Sequence, residues 1–153
     1  MSESNLEKLD KLFLAEKAAW WQMDLPSGKV IFSDNKAEML EYPPEKFKKY
    51  QDFTDLLHPD DHDQAMKAMK DHLAGKNDFY ETDYRIKNKD GDYIRFYDFG
   101  QILSQEQEES TIMGFVIQLD KNKDATKQIS EFKNMFTQKS PSLLELVKQK
   151  KNS

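Results

Sequence analysis

His58-Pro59-Asp60-Asp61-His62-Asp63 is the densest group of chemically able side chains in the sequence. Imidazoles and carboxylates are metal ligands, so the group fits a small metal-dependent hydrolase. It also fits a helix start, with Pro59 in the first turn and acidic residues at the positive end of the peptide dipoles. No second cluster of ligands stands elsewhere in the chain, which favours the helix start. His72 has the chemistry of an axial haem ligand, and equally that of a packed, hydrogen-bonded histidine. Trp21, Met23, Phe32, Met66, Met69, Tyr84, Phe96, Met113 and Phe115 are candidates, with His72, to line a ligand pocket. Aromatic and methionine side chains fill a plain core equally well, so residue type alone does not choose. No Ser/His/Asp arrangement, phosphate loop or paired-carboxylate motif stands out, and the reading is non-enzymic.

The elements that must position these residues follow from pattern. In Tyr80–Gly100, two apolar-rich runs flank Asn88-Lys89-Asp90-Gly91, residues suited to a tight reversal. Tyr80, Thr82, Tyr84 and Ile86 alternate with Glu81, Asp83, Arg85 and Lys87. A three-residue loop with Gly91 left-handed pairs Ile86 with Ile94 and Tyr84 with Phe96, keeping one face apolar. It also sets Arg85 against Arg95, with Asp83 on the diagonal. Tyr93, Ile94, Phe96, Tyr97 and Phe99 occupy both faces of the second arm, so the sheet needs a cover on each side.

Before this hairpin, residues 3–19 predict a helix with Leu6, Leu9, Leu12 and Phe13 on its apolar stripe. Trp20–Leu25 and Lys29–Ser33 predict strands about a Pro26-Ser27-Gly28 turn. Short helices are expected over 35–41 and 45–50, with a single turn near Phe53, Leu56 and Leu57. A longer helix is expected from Pro59 to about Leu73, with Ala65, Met66, Met69, His72 and Leu73 inward. Gln105–Ser110 reads as a polar surface loop and Thr111–Leu119 as a last strand. Asp124–Gln138 predicts a helix with Ile129, Phe132, Met135 and Phe136 on one stripe. Ser140-Pro141 is expected to break it before a last short helix. The class is α+β: a five-stranded antiparallel sheet, short helices on one face and an N-terminal helix on the other.

The 153 residues suffice for one domain with a core. With 33% charged residues, the chain reads as soluble and polar. It has no cysteine, which excludes disulfides, iron–sulfur clusters and cysteine photochemistry, and fits a reducing cytoplasm. The start of the chain has acidic residues and no unbroken apolar core, so no signal peptide is expected, and no stretch approaches a membrane span. Residues 121–153 carry eight lysines against Asp124, Glu131 and Glu145, leaving an acidic body that argues against nucleic acid.

Several short stretches then stand in a telling order. Trp21-Gln22-Met23-Asp24-Leu25 is followed by Gly28 and Ser33, then by Leu57-His58-Pro59-Asp60-Asp61 and His72-Leu73-Ala74-Gly75. Asp83-Tyr84-Arg85-Ile86, Lys89-Asp90-Gly91 and Gly114-Phe115-Val116 complete the series. Together they resemble a PAS domain with the PAC-like second half common in bacterial and archaeal sensory proteins. The resemblance covers about residues 18–120, between an N-terminal amphipathic helix (1–17) and a C-terminal helical tail or linker (121–153). It departs at Phe96, where the family usually has Trp. The junction to an output helix is either Asp120-Lys121-Asn122 or Asp124-Ala125-Thr126. The resemblance implies a sensory, signal-transduction domain that binds a small molecule or a protein partner and relays the change through its flanking helices. It also implies a homodimer, and a histidine kinase or other effector as partner. A ligand-free dimerisation module and the metal-dependent hydrolase are the alternatives. The cofactor is unknown; the missing cysteine and the single candidate His72 argue against flavin and haem.

Overall fold

The computed structural model describes residues 13, 17–106, 108–120 and 124–151. Five antiparallel strands, β1 (Ala18–Leu25), β2 (Val30–Phe32), β3 (Tyr80–Lys87), β4 (Tyr93–Glu106) and β5 (Glu109–Leu119), form one sheet in the order β2-β1-β5-β4-β3. Between β2 and β3 lie α1 (Asp34–Glu38), a 3-10 turn (Pro44–Lys46), α2 (Tyr50–Thr54) and α3 (Pro59–Leu73). The last helix, α4, spans Thr126–Lys151.

The central hairpin has the expected register. Ile86 pairs with Ile94 and Tyr84 with Phe96, and Gly91 takes a left-handed φ of 89°. Arg85 does face Arg95, and each arginine finds its own carboxylate. Arg95 Nη1 donates to Asp83 at 2.6 Å. Arg85 Nε and Nη2 donate to Asp61 at 2.8 and 2.9 Å, and the Arg85 backbone N–H adds a third bond at 2.8 Å. A like-charge pair in the sheet is thereby split between the hairpin and the first turn of α3.

Two apolar layers sandwich the sheet. The inner layer, under α1–α3, holds Trp21, Met23, Phe53, Tyr80, Tyr84, Phe96, Ile112 and Val116. The outer layer holds Trp20, Tyr97, Phe99, Met113, Phe115 and Ile117 beneath Phe132 and Phe136 of α4. Phe13 joins this layer, stacked 5.2 Å from Phe132. Lys133 also ties α4 to the sheet, donating to Glu81 at 3.0 Å. The described outer cover is thus mainly α4, with Phe13 beside it; Leu6, Leu9 and Leu12 lie outside the described residues.

Four boundaries differ from expectation. β1 begins at Ala18, directly after Lys17, whose φ of 54° turns the chain out of any helix. The helix expected over 45–50 is a 3-10 turn at Pro44–Lys46, and the turn expected near Phe53 is α2, whose start is fixed by Asp52 accepting from the Lys48 and Lys49 N–H groups. Most of the loop expected over Gln105–Ser110 is strand: β4 and β5 continue to pair as far as Glu106 and Glu109. Backbone pairing needs no apolar side chains, so a polar sequence hid the extension. Finally, α4 runs through Pro141, which withholds one backbone donor without ending the helix.

Candidate functional site

A cavity of about 300 Å³ lies between the short helices and the inner face of the sheet. β1 contributes Trp21, Met23 and Leu25; α2 contributes Tyr50, Phe53 and Thr54; α3 contributes Ala65, Met66, Met69, Lys70 and Leu73. Most of this wall is apolar. Its buried polar groups gather where Trp21, Lys36, Tyr80, Tyr84 and Asp98 meet.

Two glycines shape that corner. Gly100 and Gly114 are register partners on β4 and β5. A Cβ on Gly100 would stand 2.7 Å from the Trp21 ring, and one on Gly114 would stand 2.6 Å from it. The indole therefore lies directly on bare backbone, a close approach that only glycine permits. From there Trp21 Nε1 donates to Asp98 Oδ1 at 2.8 Å. Tyr84 and Tyr80 hydroxyls donate to Asp98 Oδ2 at 2.8 and 3.2 Å. Both carboxylate oxygens accept, the pattern of an ionised group with its charge spread over three donors.

Burial raises the Asp98 carboxyl above its ordinary value, opposed by the Lys36 charge and the three donors. Burial likewise pushes the Tyr80 and Tyr84 phenols up, and Asp98 adds to it. Lys36 is only 6% exposed. Desolvation pushes its ammonium down to about 8, with Asp98 acting in the other direction. Its Nζ rests 3.7 Å from the Phe53 ring centroid.

Of the residues expected to line a pocket, Trp21, Met23, Met66, Met69 and Tyr84 do so. Phe32 and Phe96 lie in the same layer without reaching the cavity wall; Phe32 packs on Phe47 and Phe53, and Phe96 on Tyr84. Met113 and Phe115 fall on the opposite face, in the outer layer. β5 is apolar on both faces, so alternation does not say which side is which. His72 is buried away from the cavity. Its Nδ1 lies 3.0 Å from the Asn77 carbonyl, and its Nε2 accepts from the Ile102 N–H at 3.1 Å. With both ring nitrogens engaged, His72 ties the end of α3 to β4 and presents no free nitrogen to a haem iron.

The polar corner residues Lys36, Tyr80 and Asp98 were not expected from the sequence, nor were wall residues such as Leu25, Val30, Phe53 and Leu57. One signal pointed to Asp98: a carboxylate between Tyr97 and Phe99, inside the apolar run Tyr93–Gly100, marks a buried partner. Lys36 carried no signal, since lysine on a short helix is usually exposed.

The acidic cluster disperses. His58 Nδ1 caps α3 by accepting from the Asp60 N–H at 3.1 Å, Asp61 turns to Arg85, and His62 pairs with the exposed Asp63. Among the described residues no group of three His, Asp or Glu side chains is placed to hold a metal ion. The Asp61–Arg85 bonds hold the Asp61 carboxyl well below the usual carboxylate range. Because the folded value is depressed, the stabilisation is fully present above the ordinary value of 3.8 and is lost as pH falls below it. Asp61→Asn should therefore lower the urea midpoint at pH 7, with the gap to the parent closing below pH 4. A gap that stays constant down to acid unfolding would show that the Asp61 charge contributes nothing.

Comparisons with known proteins agree with this architecture. The family model described as the PAS fold matches residues 29–116. A methyl sulfide methyltransferase-associated sensor of Methanosarcina acetivorans is 25% identical over 112 residues, 71% of this chain, which spans 11% of that sensor. A sensory box histidine kinase/response regulator structure from Burkholderia thailandensis superposes with TM-score 0.61 at 19% identity, covering 88% of this chain and 96% of that one. The N-terminal domain of a diguanylate cyclase with PAS/PAC sensor from Marinobacter aquaeolei gives TM-score 0.60 at 22% identity, covering 67% and 94%. With five antiparallel strands, helices gathered between the second and third, and a family match over more than half its length, the chain belongs to the PAS fold family.

Proposed function

We propose that this chain is a sensory domain whose cavity takes a small molecule and whose sheet relays the occupancy to α4. The observation that carries the proposal is the position of β5. Gly114 lies beneath Trp21 at the cavity corner, while the neighbouring Phe115 packs 5.3 and 4.9 Å from Phe132 and Phe136 of α4. One residue separates a cavity contact from an α4 contact. A ligand that binds two arrangements of Trp21 with different affinity therefore biases how α4 docks. The sensor named among the relatives, and the kinase and cyclase domains of like fold, support a role upstream of an effector.

The cavity size stands at the lower end of small-molecule sites, ~300–1,000 Å³. That size, the lack of cysteine and the engaged His72 argue for a ligand other than haem or flavin, so no visible absorption band is expected of the purified protein. The reading places the domain in the cytoplasm as a homodimer. No helix among the described residues is long and apolar enough to cross a membrane.

Hydrogen exchange tests the relay. Met69→Trp, which fills the cavity from α3, should alter protection across residues 124–138 with the sheet still folded. Unchanged protection there, in a variant whose cavity is shown to be filled, would reduce α4 to a passive cover. A ligand-free interaction module would then be the better reading.

A further inference from the structure

Lys36 is the buried cation of the cavity, and its bonding is incomplete. It is more than nine-tenths buried and lines the cavity from α1. An ammonium carries three N–H donors. Among the described residues no oxygen accepts from this one, which instead lies against the faces of Phe53 and Trp21, 3.7 and 5.9 Å from their centroids. Asp98 attracts it through space but is not in ion-pair contact with it, and both Asp98 oxygens are already taken by Trp21, Tyr80 and Tyr84. A desolvated charge without an acceptor is unfavourable, and a ligand that supplies the acceptor removes that penalty.

The geometry points to a small monocarboxylate with an apolar body as the ligand, its carboxylate on the Lys36 ammonium and its body against Trp21, Met66 and Met69. The inference rests on the reading of this cavity as a ligand site. Two further observations favour an anion over a neutral carbonyl compound. The charged side chains lining the cavity are Lys36, Lys70 and Asp98, two cations against one carboxylate whose lone pairs are occupied. Lys70 is exposed at the rim, and Met23, Leu25, Val30 and Leu57 are apolar, so a second carboxylate deep in the site would find no second cation. The cavity's volume suits a single ring or a short alkyl chain.

The test compares 3-phenylpropanoate with its neutral counterpart 3-phenylpropan-1-ol by calorimetric titration of the full chain at pH 7. The acid should bind at least tenfold more tightly than the alcohol. Lys36→Met should bring that ratio near one, and Met69→Trp should abolish binding of both. Equal affinities in the parent chain overturn the inference, as does a ratio that survives in Lys36→Met. Should Lys36→Met not fold, the ratio in the parent chain still decides. The alcohol binding as well as the acid would leave the ligand-site reading standing and sink only the carboxylate. Failure of both probes to bind would overturn both.

Discussion

Asp98→Ala should cost about 3–5 kcal/mol of unfolding free energy, the range for removing one member of a buried charged cluster. The variant strands three donors at once, the Trp21 indole N–H and the Tyr80 and Tyr84 hydroxyls, all inside the inner layer. Each buried donor left without a partner costs ~1–3 kcal/mol. It also removes the carboxylate whose field opposes the desolvation of Lys36. The lysine should then lose its proton more readily, and the loss of stability should be smaller at pH 10 than at pH 7. Urea unfolding at the two pH values checks both statements. A loss under 1 kcal/mol at pH 7 would mean that water in the cavity replaces the carboxylate.

The second large effect concerns the two glycines beneath Trp21. Gly114→Ala places its Cβ 1.9 Å from the Phe99 carbonyl oxygen and 2.8 Å from Gly100 Cα, both backbone. No rotamer change relieves that, so the strands must part, and a cost of at least ~3 kcal/mol is expected, the upper end for overpacking. Gly100→Ala meets mainly the Trp21 ring, at 2.7 and 2.8 Å, with the Met113 carbonyl next at 3.2 Å. Its clash is largely with a side chain, so the smaller ring of Trp21→Phe should offset part of it. A double-mutant cycle should give strong coupling between Gly100→Ala and Trp21→Phe, and little between Gly114→Ala and Trp21→Phe. Equal coupling for both would show that the indole, not the backbone, is what each glycine accommodates.

These effects separate what the sequence made legible from what it did not. The Tyr80–Gly100 hairpin was readable to the residue, because one arm alternates cleanly and a one-residue slip would bury charge. α3 was readable because Pro59, the acidic first turn and Gly75 mark its ends. The faces of β5 were not, since Ile112, Met113, Phe115 and Val116 are buried alike on both sides. That ambiguity put Met113 and Phe115 on the wrong side of the sheet. Part of the cavity's apolar half was found, in Trp21, Met23, Met66, Met69 and Tyr84, residue types common in such walls. Its polar half was missed because Lys36 carries no local sign of burial and because only long-range folding brings it to Asp98, whose apolar surroundings were the one hint.

The strand order β2-β1-β5-β4-β3 has a consequence for the making of the protein. β1 sits near the middle of the finished sheet, yet Ala18 pairs with Ile117 and Leu25 with Ser110. At a translation rate of ~5–20 residues per second, β1 leaves the ribosome on the order of ten seconds before its main partner exists. In that interval it has only the three residues of β2 to pair with, while Ala18-Ala19-Trp20-Trp21, fully buried at the end, stays open to any other strand. The nascent chain is thus most exposed to misassociation at an inner strand of its own sheet, and chaperone demand should fall only once β5 has been synthesised.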